Sequence, residues 1–399
     1  MIRIRKTKET MVSLLWYGKI IRDLRRVNSN IFFVFPTYQI GGAERVHADI
    51  MALVADQKPT CIITELPKNS GFKKDFYEAG KVIELKRWGT KKAFVPIMAK
   101  KIAKIINRQN KPVVFGCNTD FLYTLTDYLN ENVEVIDLTH AFTPNLMGME
   151  FYSLPYVSRI NQRIVIGKKT RNDYKELYQK NGISLDYMER FKIIPNQIDA
   201  PKEYTKRDYS LPLTAIFVSR NSPEKRPEVF LELAKKARAS DLSIRFIMVG
   251  DFGEYQAEYG EFIDFIGPVT DKHELNELYE KSDIILITSV LEGFPMVLLE
   301  GMALGVVPIS TEVGEIPSLI NENLNTGYLI ATLDDTEKLI ESFLERLKAC
   351  TKDLDSLAVF SRQAHTLVKK EFSSEKFTEN YRNLLKPHFK QLMVINGGN

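Results

Sequence analysis

Ile284-Ile-Leu-Ile-Thr288-Ser-Val-Leu-Glu292-Gly293-Phe294-Pro295-Met-Val-Leu-Leu-Glu300 holds a strand, a loop and a helix in one short stretch. The run Ile284 to Thr288 is apolar and β-branched, the pattern of a buried strand. Pro295 suits the first position of a helix, where its missing N–H costs nothing. Val297, Leu298 and Leu299 hold that helix against a sheet, and Gly305 is placed to cap its end. Glu292 then lies in the loop and Glu300 about two turns into the helix. The first amides of the helix, from about Phe294 to Val297, form an anion site by construction. A carboxylate accepts hydrogen bonds from two adjacent hydroxyls, as a sugar diol requires, so two carboxylates in this spacing can grip two sugars of one ligand. Read singly, Glu292 is equally a helix-capping acid and Glu300 a surface charge; the surrounding motifs select the ligand role.

The same strand-and-helix unit recurs along the chain. Strands are expected at Ile31 to Phe35, Thr60 to Thr64, Val82 to Leu85, Val113 to Gly116, Val133 to Leu138, Arg163 to Ile166 and Phe191 to Ile194. The series restarts with Leu213 to Ser219, Ile244 to Gly250, Phe262 to Ile266, Ile284 to Thr288 and Val306 to Ser310. Strands alternating with helices imply mostly parallel sheets, here in two Rossmann-like α/β domains. Such domains bind ligands beyond the carboxyl ends of their strands, so a cleft with one domain facing the other is expected to carry the chemistry. Between Pro195 and Pro212 the chain is rich in Pro, Asp and other charged residues and has no apolar period, as in a linker. The expected division is a basic extension 1–28, a first domain 29–200, a linker 201–211, a second domain 212–372 and a C-terminal helix 373–399 packing back on the first domain. Past Gly327 the pattern reads as helical.

Other strand ends carry candidate ligand groups. Ser219-Arg220-Asn-Ser-Pro-Glu-Lys225-Arg226-Pro227 follows the first strand of the second domain. Arg220 offers a planar fork and Lys225 a point charge, a combination suited to a diphosphate leaving group; a solvated basic loop is the plainer reading. Gly250 and Gly253 in Val249-Gly250-Asp-Phe-Gly253 permit close backbone approach to a ligand. In the first domain Gly41-Gly42-Ala-Glu44 opens a helix after the first strand, and His140 ends Asp137-Leu-Thr-His140 beyond a strand's carboxyl end.

In this order the motifs resemble glycosyltransferase family 4, the retaining enzymes of the GT-B fold. The resemblance rests on Glu292 and Glu300 in an E-x7-E pattern, Arg220 with Lys225, the Gly250 loop, the strand entry Gly305-Val-Val-Pro308, and Gly41-Gly42-Ala-Glu44. It implies that Glu292 contacts the donor sugar, Glu300 the nucleotide ribose, Arg220 and Lys225 the diphosphate, and His140 the donor sugar. Gly293, Phe294 and Pro295 then line the donor site together with Gly41, Gly42, Gly250 and Gly253. Pro195-Asn-Gln197-Ile-Asp199 is similar to the family's hinge, with Gln197 in place of its usual glycine. The resemblance implies transfer of a hexose-type sugar from a nucleotide diphosphate sugar, UDP or GDP favoured, to a saccharide or lipid-linked acceptor in cell-surface polysaccharide synthesis. It implies no cofactor and no metal, and no Asp-x-Asp pair stands near the donor loops. A non-hydrolysing sugar-nucleotide epimerase and a catalytically silent carbohydrate-binding protein are the alternatives.

Composition sets the outer limits. A chain of 399 residues that is 44% hydrophobic can build more than one core. Cys61, Cys117 and Cys350 stand far apart, with neither a disulfide framework nor zinc spacing, as expected in a reducing cytoplasm. No apolar run is long enough to span a bilayer. The net charge of +4 is uneven. Eight Lys/Arg against Glu9 and Asp23 precede Val27, and Lys86 to Lys111 holds nine Lys/Arg and no acid. Val95, Met98, Ile102 and Ile105 form an apolar stripe within that second segment, beside Trp88 and Phe94; Leu14, Leu15, Trp16 and Tyr17 lie in the first. Both segments therefore read either as ordinary protein surface or as contacts to an anionic membrane. The expected location is cytoplasmic, with peripheral contact to the inner face of the cytoplasmic membrane as the second reading. No nucleic-acid motif accompanies the charge.

Overall fold

The computed structural model describes residues 15–143, 148–320 and 322–385. The chain divides into two units, one holding the residues up to Ile194 together with those from Thr378, the other running from Pro195 to Phe377.

In the first unit seven short apolar runs become strands: β1 (Ile31–Phe35), β2 (Thr60–Ile63), β3 (Lys81–Glu84), β4 (Val113–Cys117), β5 (Glu134–Thr139), β6 (Gln162–Val165) and β7 (Phe191–Ile193). All pair in parallel, in the order β3-β2-β1-β4-β5-β6-β7. The order reverses between β1 and β4, the place where open α/β sheets receive ligands. Both faces of the sheet are covered, so β1 and β4 are buried at every residue.

The second unit repeats the plan with β8 (Leu213–Val218), β9 (Ile244–Val249), β10 (Ile263–Gly267), β11 (Ile284–Ile287), β12 (Val307–Thr311) and β13 (Tyr328–Ile330). Its order is β10-β9-β8-β11-β12-β13, again all parallel, with the reversal between β8 and β11. Strand β13 corrects the expectation that the chain is wholly helical after Gly327. Three residues are too few to show a period, and its pairing with β12 is what makes Tyr328 to Ile330 a strand. Three helices follow, Thr336–Lys352, Leu354–Glu371 and Ser374–Leu385. The last returns to the first unit. There Tyr381 is fully buried with its ring 6.1 Å from that of Phe115, and Arg382 Nε donates to the carbonyl of Leu53.

The expected linker lacks regular structure, yet it packs within the second unit. The guanidinium of Arg207 donates to the carbonyls of Tyr279, Ser282 and Leu304, and the Tyr204 hydroxyl lies 2.9 Å from that of Ser361. The composition that reads as a connector is that of a strap bound by backbone carbonyls.

The apolar stripe on the helix Val95–Ile106 faces inward: Val95, Met98 and Ile102 are buried in the core of the first unit. The plainer of the two readings holds for that helix, because the sheet needs the same stripe a membrane would take. Residues 15–25 form a helix whose Trp16 indole donates to the carbonyl of Glu84; the Trp88 ring stacks on Phe94 at 4.3 Å and meets the tilted Tyr17 ring at 4.6 Å. The rest of the basic extension, 1–14 with Leu14, lies outside the described residues. No helix among the described residues is long and apolar enough to cross a membrane. The cysteines are free and buried.

Register creates one charged contact inside the first core. Asp137 on β5 pairs with Arg163 on β6, and their side chains meet at 3.2 Å with 0% and 1% exposure. The Tyr123 hydroxyl donates to Asp137, Arg163 donates to Ser153 Oγ, and the guanidinium lies 4.5 Å from the Tyr174 ring. Burying a charge is tolerable only when it is paired, so breaking the pair is costly. Arg163→Leu is expected to lower stability by about 3–5 kcal/mol in urea unfolding, and Asp137→Asn combined with it to cost less than the two separately.

Candidate functional site

In the second unit the loops after β8 and β11 flank the reversal point, and they hold Lys225 and Glu292. Lys225 ends a 3-10 turn, Pro223–Lys225, and Arg226 follows with φ 51°, turning the chain into the helix Pro227–Ala239. The Lys225 ammonium donates to Glu292 Oε1 at 2.6 Å, and the Ser289 hydroxyl donates to the same oxygen at 2.7 Å. The side chains are only 19% and 8% exposed, so this ion pair is far less screened than a surface bridge.

Polar side chains hold the two loops together from beneath. Thr288 Oγ1 donates to the carbonyls of Lys225 and Arg226, Thr311 Oγ1 donates to that of Ser289, and the Val290 N–H donates to that of Glu224. Arg226 is itself buried, its guanidinium donating to the carbonyl of Leu333 and to Thr336 Oγ1. Gly314, with φ 56°, passes directly under the Glu292 loop, and a Cβ there would run into the Glu292 and Gly293 carbonyls. The next residue, Glu315, donates its N–H to the Gly293 carbonyl at 3.1 Å.

Glu300 is in the helix Met296–Ala303, partly exposed, and accepts from the buried Tyr279 hydroxyl at 3.4 Å. Pro295 is the cap and not the first helical residue, because its ψ of 109° is extended. The helix ends as expected at Gly305. With φ 76° there, the Gly305 and Val306 N–H groups reach back to the carbonyls of Met302 and Gly301. Leu298 and Leu299 are fully buried, Val297 partly. Phe294 packs against Phe372, and Asn196 of the hinge-like segment donates to Met296 Sδ.

Not every candidate joins this centre. Arg220 is 82% exposed and reaches only Glu224, at 3.5 Å. Glu224 in turn is held below the usual carboxylate range by the Ser222 hydroxyl. Gly250 answers a constraint within the fold itself. At φ 141° a Cβ would strike the Ser219 carbonyl and the Phe252 ring, so the glycine lets the β9 loop close on the β8 loop. Gly253 starts the 3-10 turn Gly253–Tyr255 with open space where a Cβ would be.

In the first unit, Gly41 caps the helix Gly42–Ala52, and the Glu44 carboxylate occupies the space of a Gly41 side chain. Burial raises the pKa of Glu44. His140 directly follows β5, and its Nε2 lies 3.1 Å from Nε2 of His47, a residue that the sequence motifs did not single out. His47 is fully buried and stacks flat on Phe35, with ring centres 4.0 Å apart. Burial pushes His140 down to about 4, and burial together with the nearby His140 ring pushes His47 well below its usual value.

His47, Cys117 and His140 place their ligand atoms within 4.8 Å of one another, which invites a test against metal binding. The set fits a metal poorly. Ligand histidines ordinarily donate their second nitrogen to a carboxylate or carbonyl, whereas His47 Nδ1 is buried without a partner. Burial, with the charges of Asp137 and Glu44, raises the pKa of the Cys117 thiol in the metal-free site.

Two parallel α/β units, each with candidate ligand groups at its strand-order reversal, are the architecture of the GT-B fold. Residues 205–355 match the family model of the glycosyl transferases group 1. The chain is 23% identical over 306 residues to N-acetyl-alpha-D-glucosaminyl L-malate synthase of Bacillus anthracis, covering 72% of this chain and 77% of that protein. It is 24% identical to the putative colanic acid biosynthesis glycosyltransferase WcaL of Escherichia coli, over 52% of this chain and about half (51%) of that protein. A crystal structure of Anabaena HepE in complex with UDP has the same fold, with a TM-score of 0.68, 16% identity and coverage of 90% of this chain and 100% of that one.

Gly314→Ala is expected to lose about 1–3 kcal/mol of stability, because the added methyl must displace the Glu292 carbonyl and adopt a left-handed backbone; chemical unfolding measures it. The histidine pair sets a pH dependence. In the unfolded chain both rings ionise near 6.5, whereas burial holds His140 in the fold down to about 4. Between those values the unfolded chain binds protons that the folded one refuses. Stability is therefore complete above the upper value and falls as pH drops toward the lower. Cys117 beside the pair stays uncharged and Phe35 is apolar, so neither offsets this. Urea unfolding from pH 7.5 to 4.5 should show the loss, and the double variant His47→Phe/His140→Phe a shallower one.

Proposed function

We propose that the protein is a retaining glycosyltransferase that moves a hexose-type sugar from a UDP- or GDP-sugar to a saccharide or lipid-linked acceptor in cell-surface polysaccharide synthesis. The observation that carries this reading is the shielded Lys225–Glu292 pair at the reversal point between β8 and β11, with Glu300 in the helix that follows. The names of the relatives support it, since they include enzymes of polysaccharide and lipopolysaccharide assembly. So does the UDP bound in the Anabaena structure.

In this reading Glu300 takes the ribose hydroxyls and Glu292 the sugar. The diphosphate draws the Lys225 ammonium partly away from Glu292, and that exchange is easy because Ser289 still donates to the carboxylate. Exposed Arg220 swings onto the phosphates once ligand is present. As the bond to the anomeric carbon breaks, charge grows on the departing diphosphate and is met by Lys225, Arg220 and the first amides of the helix Met296–Ala303. The departing β-phosphate accepts the proton of the incoming hydroxyl, which enters from the same face, so configuration is retained. No metal or cofactor is assigned to these steps. His140 is the first unit's candidate hydrogen-bond donor to a sugar hydroxyl. Contact with an anionic membrane, in this reading, is electrostatic, through the basic segments, since the apolar stripe at Val95 to Ile106 is already in the core.

A thermal-shift screen against UDP-, GDP-, ADP- and dTDP-sugars should give one clear stabiliser, by about 2.7 kcal/mol at a hundred times its Kd. Lys225→Ala and Glu300→Ala are expected to remain folded and lose transfer. Stabilisation by none of the four, or full transfer by either folded variant, would sink the proposal. Epimerised donor in the absence of any acceptor would point to the epimerase instead.

A further inference from the structure

We propose that His47 is a positioning residue that locks His140 in its Nδ1–H tautomer and so makes His140 a neutral hydrogen-bond donor. The role of that donor rests on the function proposed above; the tautomer itself does not.

The two Nε2 atoms are 3.1 Å apart, which requires one to carry a proton and the other a lone pair. His47 decides which. It sits in the helix Gly42–Ala52 with no exposed surface, and its ring is parallel to that of Phe35 within 4°. The flat stack leaves the ring little freedom to tilt. Its Nδ1 is buried and meets no polar partner. Were His47 to accept at Nε2, its own proton would lie on Nδ1 as a buried, unmatched N–H. Were it to donate at Nε2, Nδ1 would hold only a lone pair. Orphaned buried N–H groups are the rarer of the two defects, since a donor has no weak alternative partners. His47 is thus the donor.

His140 then accepts at Nε2, and its single proton is on Nδ1. That atom has no hydrogen bond among the described residues, and His140 is partly exposed, so its N–H is left for a water or ligand oxygen. Nearby Cys117 remains a thiol and offers the pair only a weak donor. With Nε2 occupied and Nδ1 protonated, His140 has no lone pair left to act as a base. It can only donate, to a hydroxyl or carbonyl oxygen, and it keeps that form while the pair stays neutral.

The full chain labelled with 15N-histidine, observed in two-bond 15N–1H spectra, reads the tautomers directly, with His140→Asn and His47→Gln assigning the signals. Nδ1–H at His140 and Nε2–H at His47 are the expected result; Nε2–H at His140 in the unaltered protein overturns the proposal. His47→Gln, whose amide can donate, should preserve the His140 tautomer, whereas a folded His47→Leu should release it toward Nε2–H. An unchanged His140 spectrum in folded His47→Leu would equally overturn it. The same variants separate this assignment from the proposed activity. His47→Leu should lower kcat at least about tenfold with little change in KM, and His47→Gln should restore most of it. Full activity in His47→Leu with a shifted tautomer would remove His140 from the reaction while leaving the tautomer assignment intact.

Discussion

Parallel strand pairing is the constraint on which the other features depend. A parallel sheet aligns all its strands in one direction, so every strand releases its chain at the same edge. In the second unit that edge receives the loops of β8 and β11, and it brings Lys225 to Glu292 although 67 positions separate them in sequence. In the first unit it gathers the helix after β1, the end of β4 and the residue after β5, which brings His47, Cys117 and His140 together. Chain reversal in the strand order leaves the crevice; the parallel edge fills it with side chains.

The two edges are finished in opposite electrical styles. In the second unit a shielded cation and anion neutralise each other, and Thr288, Thr311 and Gly314 fix the loops that hold them. Such a pair costs desolvation, which the short contact and the Ser289 hydroxyl offset. A phosphate-bearing ligand can enter that balance because it competes for the same ammonium. In the first unit the groups are neutral. Burial holds both imidazoles uncharged and the thiol protonated, so that edge orients hydrogen bonds without attracting charge.

Much of this was legible in the sequence wherever the signal was local. Twelve runs rich in β-branched and apolar residues stand within a residue or so of strands, most plainly at β1 and β11, where burial at every residue demands an apolar run. The left-handed turn at Gly305 was legible for a similar reason, since few residues other than glycine accept it. The Glu292 and Glu300 spacing placed one carboxylate in a loop and the other on a helix. Where the signal was faint, the reading slipped. Strand β13 has three residues, and the strap around Arg207 has the polar composition of a free linker.

What the amino-acid sequence determined by itself was the alternation of elements, the family motifs and the chemical type of each candidate group, all of which follow from side-chain period and backbone demand within a few neighbours. Tertiary structure alone decided the partners: Glu292 for Lys225, Arg163 for Asp137, His47 for His140, and the Ser219 carbonyl packed against Gly250. A partner is chosen by strand order and register, and these are settled collectively when the sheet and its covering helices pack, not by any residue's immediate neighbours.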